Sequence, residues 1–156
     1  MKAARFKTPL GTAEIRGSEE GICSIKILEG DPGITEIPLE LQPAVEQLEA
    51  YFAGELKDFH LKLDPKGTEF QKQVWKKLAE IPFGTTTSYL QLSKELGNEK
   101  AIRAVAAANG KNPLWIVIPC HRVIGSDGSL TGYAGGLHHK KWLLEHENPP
   151  LQQSLF

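Results

Sequence analysis

The stretch Ile118-Pro-Cys-His-Arg-Val123, preceded by the apolar run Leu114–Val117, decides how the second half of this chain is interpreted. The run predicts a buried, extended segment that brings Cys120 to the point where the chain leaves the core. A cysteine becomes a strong nucleophile when a neighbouring group takes its proton or stabilises the thiolate. His121 is a base beside Cys120, and Arg122 is a cation one residue further on. Taken alone, the stretch is also compatible with a buried structural cysteine.

The segment that follows the cysteine is rich in glycine. Gly125–Gly136 contains five glycines together with Tyr133. Because no Gly-Lys-Ser/Thr sequence follows, we interpret it as a loop around a small pocket and not as a phosphate-binding loop. A final helix is predicted at about His139–Glu147. Near its end, His146 or Glu147 could orient a catalytic histidine.

Two short helices are predicted before the cysteine segment. Tyr89, Leu92 and Leu96 share one face of the first helix, which ends at Gly97. The second helix runs from about Glu99 to Asn109. Two short helices joined by a glycine-containing turn are typical of a helix-turn-helix motif.

The second of these helices has two different faces. Its predicted core face carries Ile102, Val105, Ala106 and Asn109. The opposite face is small in its middle and basic around it, with Lys100, Arg103, Ala104, Ala107 and Lys111. Alanines let the backbone approach a polyanion closely, although an ordinary solvated helix surface has a similar composition.

The first third of the chain is predicted to form β-structure followed by a helix. Thr8–Gly11 forms a turn between extended stretches, and alternation over Ile22–Ile27 predicts a half-buried strand. Cys23 falls on the apolar face of that strand, so we interpret it as structural. Helical spacing of apolar residues predicts a helix over Leu41–Phe52 that ends near Gly54.

A linker at Asp64–Gly67 separates this part from the next helix. Thr68 and Gln71 form a capping-box pattern at the start of that helix. Its predicted apolar stripe consists of Phe70, Val74, Leu78 and Ile81. Pro82 is predicted to stop the helix.

Composition narrows the possible classes of function. The chain has 156 residues and a net charge of −1, which argues against a general polyanion binder. No apolar run is long enough to cross a membrane, and no secretory signal is expected. Two cysteines cannot form a disulfide framework, which indicates a reducing, cytoplasmic location. The sequence has neither Cys-x-x-Cys nor His-x-x-x-His, so no metal site is predicted.

The chain resembles the O6-alkylguanine-DNA alkyltransferases, strongly over about Thr68–Glu147 and more loosely before it. The family's motifs occur in the expected order: Phe83-Gly84, Ser88-Tyr89, Arg103–Val105, Asn112-Pro113, Pro119–Val123, Tyr133 with Gly135-Gly136, and Leu143–Glu147. The resemblance implies an α/β protein with a small ribonuclease-H-like N-terminal domain at residues 1–64. A helical, winged-helix-type DNA-binding catalytic domain would follow at 65–148, and an exposed C-terminal tail at 149–156.

The resemblance also implies the roles of individual residues. Cys120 would accept the alkyl group, His121 would take its proton through a water, Glu147 would orient His121, and Asn112 would brace the turn that carries Cys120. Tyr89 would help to rotate the base out of the duplex and donate a proton toward the guanine ring. The substrate-binding residues would be Tyr89, Cys120, Val123, Tyr133 and Ala134. The DNA-binding residues would be Lys100, Arg103, Ala104, Ala107 and Lys111, with Arg103 filling the space that the base vacates.

The implied function is direct reversal of alkyl damage at O6 of guanine and at O4 of thymine, in a single turnover. The resemblance implies a monomer that enters the minor groove of double-stranded DNA and needs no cofactor. Cys23 alone cannot form the zinc site found in some members, and Ala134 stands where some members carry serine. Two alternatives stay open: a cysteine hydrolase that uses Cys120 and His121, and a DNA-binding regulator in which Cys120 is incidental.

The end of the chain carries a separate signal. Gln152–Phe156 is similar to the short motif by which bacterial repair proteins and polymerases dock onto the DNA sliding clamp. We therefore expect a bacterial protein whose tail tethers it to the clamp. Packing of this tail against the domain surface is the alternative.

Overall fold

The computed structural model describes residues 1–149. It contains two compact units. The first consists of Met1–Thr68 and Pro113–Val117, and the second consists of Glu69–Asn112 and the described residues from Ile118 onward. Within residues 1–149, no helix has both the length and the apolar character needed to cross a membrane. The segment Gln152–Phe156, predicted to dock onto the sliding clamp, lies outside the described residues.

A three-stranded antiparallel sheet and one helix form most of the first unit. Its strands are β1 (Lys2–Thr8), β2 (Gly11–Ser18) and β3 (Gly21–Leu28), paired in that order. Helix α1 (Gln42–Phe52) follows a 3-10 turn and buries Ala44, Val45, Leu48 and Tyr51. Gly54 has a φ of 79°, a conformation that glycine adopts without steric strain and that often ends a helix. The predicted turn, strand and helix are therefore confirmed.

Strand β3 departs from the predicted alternation at Cys23. Ser24 pairs with Arg16 and Ile22 pairs with Gly17, so Cys23 has no partner residue on β2. Such a bulge changes which side chains share a face of the sheet. Ile22 and Ile25 are consequently buried, whereas Cys23 is only half-buried. The prediction that Cys23 belongs to the apolar face was wrong in this respect.

The segment Pro113–Val117 does not form the extended run that its apolar composition predicts. The amide of Ile25 donates to the carbonyl of Pro113 at 2.8 Å, and the amide of Trp115 donates to the carbonyl of Ile25 at 3.1 Å. After this single bridge the chain turns, and Ile116 has a φ of 76°, which is unusual for a β-branched residue. Hydrophobicity identified a buried segment, but a turn ends its pairing after one bridge.

The second unit begins with α2 (Glu69–Leu78), which buries Val74, Trp75 and Leu78. The indole nitrogen of Trp75 donates to the carbonyl of Ala108 at 2.8 Å. The helix ends at Leu78, before the predicted stop at Pro82, because the amides of Glu80 and Ile81 bond three residues back. Phe70, predicted in the buried stripe, is 38% exposed.

The predicted helix pair is present as α3 (Tyr89–Glu95) and α4 (Ile102–Gly110). The Ser88 hydroxyl caps α3 by accepting from the amide of Gln91 at 3.0 Å. Gly97 has a φ of 87° in the turn, and a 3-10 turn, Glu99–Ala101, leads into α4. On α4 the buried residues are Val105, Ala108 and Asn109. Ile102 and Ala106, predicted in the core, are only half-buried.

The cysteine segment is a single 3-10 turn, Cys120–Arg122, followed by β5 (Val123–Ile124). Strand β5 pairs in parallel with β4 (Thr87–Ser88). Helix α5 (Leu137–Glu147) begins two residues before its predicted start and buries Lys140, Leu143 and Glu147. Two of the three residues on its inner face are therefore ionisable.

Candidate active site

Cys120 is held at the start of the 3-10 turn and is only 2% exposed. Its amide donates to the carbonyl of Ile118 at 2.8 Å, and the side-chain amide of Asn112 donates to the same carbonyl at 2.8 Å. Asn112 therefore braces the turn, in the position that the resemblance implied. Burial raises the pKa of the Cys120 thiol to about 11, against the opposing effects of Asn112 and Lys140. The resting group at neutral pH is a thiol.

His121 is completely buried, and its Nε2 lies 2.7 Å from Oε2 of Glu147. Burial lowers the pKa of His121, and the hydrogen bond to Glu147 opposes that effect. The imidazole is therefore neutral at pH 7. The alternative orienting residue, His146, instead stacks on Trp142 with ring centroids 4.9 Å apart.

Arg122 does not act as the cation beside Cys120 that its place in the sequence indicated. Its Nε and Nη2 donate to the two carboxylate oxygens of Glu147 at 2.7 and 2.8 Å, and Nη1 donates to the carbonyl of Ile81 at 2.7 Å. This bidentate pair favours the ionised carboxylate. An ionised Glu147 accepts the Nε2 proton of His121, so Nδ1 carries the free lone pair. Nδ1 is buried and has no hydrogen-bond partner among residues 1–149.

Lys140 is a buried site residue that the sequence analysis missed. Its Nζ donates to the carbonyls of Val123 at 2.6 Å and Thr131 at 2.7 Å. Burial lowers the pKa of Lys140 to about 8. Val123 is one of the substrate-binding residues that the resemblance implied, so Lys140 bonds directly to the backbone of the predicted site. The only signal in the sequence was a lysine at helical spacing from Leu143 and Glu147.

A cavity of about 660 Å³ lies between α4 and the glycine-rich loop. Four predicted site residues line it: Tyr89, Arg103, Tyr133 and Ala134. The remaining lining residues are small or apolar except for a threonine: Ile102, Ala106, Gly110, Thr131 and Gly132. The glycine-rich segment thus borders a pocket, as predicted.

Two tyrosines at this cavity lie within electrostatic range of the thiol. Tyr89 Oη donates to the carbonyl of Thr131 at 3.2 Å. Burial raises the pKa of Tyr89 and places that of Tyr133 well above its ordinary value, and the charge of an ionised Cys120 raises both further. Cys120 is not part of the cavity lining, yet it lies within electrostatic range of both tyrosines.

The predicted DNA-binding residues share an exposed surface. Lys100, Ala104, Ala107 and Lys111 are all exposed at spacings of four, three and four residues, which places them along one side of α4 and its flanking turns. Arg103 is exposed and also borders the cavity. We call the surface formed by these five residues the α4 face.

Within residues 1–149, no three His, Cys, Asp or Glu side chains come together in a group that could hold a metal ion. The Sγ of Cys23 lies 3.5 Å from the Sδ of Met1.

Comparisons with known proteins agree with this geometry. Residues 1–65 match the profile of the 6-O-methylguanine DNA methyltransferase ribonuclease-like domain, and residues 69–149 match that of the DNA-binding domain. The fold-class prediction is confirmed. A methylated-DNA–protein-cysteine methyltransferase of Methanosarcina acetivorans is 49% identical and covers 94% of this chain and 98% of the relative. One from Mycolicibacterium paratuberculosis is 44% identical and covers 96% and 94%.

Solved structures give the same result. The O6-methylguanine methyltransferase of Mycobacterium tuberculosis has a TM-score of 0.84 at 41% identity and covers 99% of both chains. The structure of M. tuberculosis OGT in complex with DNA has a TM-score of 0.85 at 44% identity and covers 93% of this chain and 91% of that one. The chain therefore belongs to the 6-O-methylguanine DNA methyltransferase family and is a methyltransferase that serves DNA repair.

Proposed function

We propose that this protein repairs alkylated DNA by direct reversal and that Cys120 receives the alkyl group in a single turnover. The substrates are O6-alkylguanine and O4-alkylthymine in double-stranded DNA. The observation that carries the proposal is the buried Cys120-His121 pair, with Glu147 bonded to His121, next to a cavity lined by two tyrosines. This arrangement supplies a nucleophile, a base and a proton donor without a cofactor.

The first step is transfer of a proton from the Cys120 thiol to His121. The thiol is protonated at rest because burial raises its pKa to about 11. The neutral imidazole takes the proton at Nδ1 through a water, and the Glu147 carboxylate stabilises the resulting imidazolium at Nε2. Arg122 pairs with the Glu147 carboxylate, and the ammonium group of Lys140 is hydrogen-bonded to the Val123 carbonyl.

The second step is displacement at the alkyl carbon. The S–C bond forms as the C–O6 bond breaks, and the electron pair of the broken bond stays on guanine. Tyr89, whose hydroxyl lies at the cavity wall, donates a proton toward the guanine ring. The product is a thioether, which water does not cleave, so each molecule of protein acts once.

The DNA contact is assigned to the α4 face. A base modified at O6 lies inside the duplex and must be rotated out before Cys120 can reach it. Minor-groove entry favours small residues on the entering face and a side chain that fills the gap. Ala104 and Ala107 meet the first requirement, and Arg103 meets the second. The structure of the M. tuberculosis relative in complex with DNA supports DNA as the partner.

Mass spectrometry of the intact protein tests this function. After incubation with a duplex that contains O6-methylguanine, the protein should gain the net mass of one CH2 unit, because a methyl group replaces the thiol proton of Cys120. Cys23→Ser should react as the wild type does, and Cys120→Ala should bind the duplex without reacting. Methylation of Cys120→Ala, or a product located on Cys23, would exclude the assignment.

The alternatives predict different products. A cysteine hydrolase would turn over an ester or amide repeatedly, whereas the proposed reaction stops after one equivalent. A DNA-binding regulator would bind a preferred sequence and leave the alkylated base unchanged. Chromatography of the DNA bases after a stoichiometric reaction distinguishes both alternatives from repair. Repair replaces O6-methylguanine by guanine, whereas either alternative leaves O6-methylguanine unchanged.

We further infer a cytoplasmic protein, because a reducing compartment keeps the acceptor thiol available, and a monomer, as the family resemblance implies. The segment Gln152–Phe156 is assigned to the bacterial sliding clamp, since a tether raises the protein's effective concentration on newly replicated DNA. Calorimetric titration of the purified clamp tests this assignment. Binding should be lost when Gln152–Phe156 is deleted, and binding that survives the deletion would reject it.

A further inference from the structure

Asn109 is a buried polar residue that the proposed reaction does not use. It lies on α4 with 1% exposure, and its Oδ1 has no hydrogen-bond partner among the described residues. Its neighbours Ala106 and Gly110 line the cavity. A buried amide with an unpaired oxygen destabilises the fold by about 1–3 kcal/mol. An apolar side chain of similar size would avoid that penalty, so the amide calls for an explanation.

The contact of the Asn109 side chain is with Tyr89. The two side chains share a hydrogen bond that lowers the pKa of the Tyr89 phenol, while burial acts in the opposite direction. The single proton of the phenol is donated to the carbonyl of Thr131. The hydrogen bond from Asn109 must therefore be donated by Nδ2 to a lone pair of Tyr89 Oη. This orientation accounts for the unpaired Oδ1, because the other end of the same amide is the one in use.

This contact fixes the direction of the phenolic proton. With Nδ2 donating to Oη, the proton of Tyr89 points away from α4 and toward Thr131 at the cavity wall. The charge of an ionised Cys120 also acts on Tyr89. Two further cations lie nearby: Lys140 donates to the same Thr131 carbonyl, and Arg103 lines the same cavity.

We propose that Asn109 is a positioning residue for alkyl transfer, because its Nδ2 holds the Tyr89 hydroxyl with its proton directed toward Thr131 at the cavity wall, from where it passes to the leaving guanine. The inference rests on the proposed role of Tyr89 as proton donor. Asn109 itself touches neither the thiol nor the reacting carbon in this scheme, and it acts only through Tyr89.

Asn109→Leu removes the donor and keeps a buried side chain of similar size, and Asn109→Ala serves if the leucine does not fit. Ser93→Ala is the matched control: Ser93 is buried on α3 and donates to the backbone carbonyl of Tyr89, away from its hydroxyl. Tyr89→Phe, alone and combined with Asn109→Leu, completes the set.

The first measurement is the ultraviolet titration of tyrosinate, with the Tyr89 contribution isolated by subtracting the curve of Tyr89→Phe. In Asn109→Leu, Tyr89 should ionise at higher pH than in the wild type, and in Ser93→Ala it should not. The second is the rate of reaction with free O6-benzylguanine, which needs no base rotation. Asn109→Leu should react roughly tenfold more slowly, part of the effect of a general acid. In the Tyr89→Phe background, Asn109→Leu should not lower the rate further.

An unchanged tyrosine titration or an unchanged rate in Asn109→Leu would overturn the inference. The inference would also fail if Asn109→Leu lowered the rate as much in the Tyr89→Phe background as in the wild type, because the effect would then not pass through Tyr89. Failure of the proposed function looks different, since the wild type would then transfer no alkyl group to Cys120.

Discussion

At the scale of single residues, this site consists of buried ionisable groups that depend on one another. Glu147 accepts hydrogen bonds from His121 and from two nitrogens of Arg122, and its side chain is 1% exposed. Lys140 is bonded to two backbone carbonyls. Each group is tolerated in the interior because its partners replace water. Removing one partner is therefore expected to affect stability as well as chemistry.

Glu147→Gln tests this dependence. The change leaves the buried guanidinium of Arg122 without its counter-charge, so we expect the free energy of unfolding to fall by about 3–5 kcal/mol. Alkyl transfer should also slow, because Glu147 raises the pKa of His121 and makes it a better base. Urea unfolding and single-turnover kinetics measure the two effects. Glu145→Gln, on the exposed side of the same helix, is the control. Equal stability of the two variants would contradict this account.

The pH dependence of the thiol gives a second prediction. Burial raises the pKa of Cys120 to about 11, and the charge of Lys140 lowers it. In the Cys23→Ser background, thiolate absorbance should therefore develop only in strongly alkaline solution. Lys140→Met should leave the transition almost unchanged, because Lys140, with a pKa of about 8, has lost its proton before the thiol ionises. Lys141→Met removes an exposed charge beside it and should leave the transition unchanged. A transition near neutral pH in the wild type would refute the protonated resting state.

At the scale of elements, local sequence accounted for most helices, and long-range pairing explains the differences. The end of α3 was correctly predicted from Gly97, because a glycine that terminates a helix is a local sequence signal. The bulge at Cys23 and the bridge between Ile25 and Leu114 depend on strand partners distant in sequence, so local alternation could not reveal them. The contacts of Lys140 were missed for the same reason.

The exposed α4 face can be tested as one element. Arg103→Ala should slow repair of duplex DNA roughly tenfold or more, because the unstacked state loses the side chain that fills the gap. Reaction with free O6-benzylguanine should change little, since no base has to be rotated out. Lys94→Ala removes an exposed positive charge of α3 and controls for net charge. If Arg103→Ala slows both substrates equally, Arg103 does not act in base rotation.

At the scale of the whole molecule, the family resemblance predicted more than periodicity did. The succession of motifs from Phe83 to Glu147 identified the family and selected Cys120, His121 and Glu147, of which the structure joins His121 to Glu147. No sequence pattern indicated that Pro113–Val117 groups with the first unit, because that depends on the folded chain. The resemblance also did not indicate the function of Asn109.

Alkylation is expected to destabilise the whole protein. Cys120 is 2% exposed, so a methyl group on Sγ adds volume to a packed site. Overpacking of this kind lowers the free energy of unfolding by about 1–3 kcal/mol. In a protein of this size each kcal/mol corresponds to roughly 2–4 °C in Tm. Calorimetry before and after stoichiometric reaction with methylated duplex measures the shift, with Cys120→Ala treated in the same way as the unreactive control. An unchanged Tm of the methylated protein would mean that the site accommodates the added group without strain, and that the buried thiol is less tightly packed than its exposure implies.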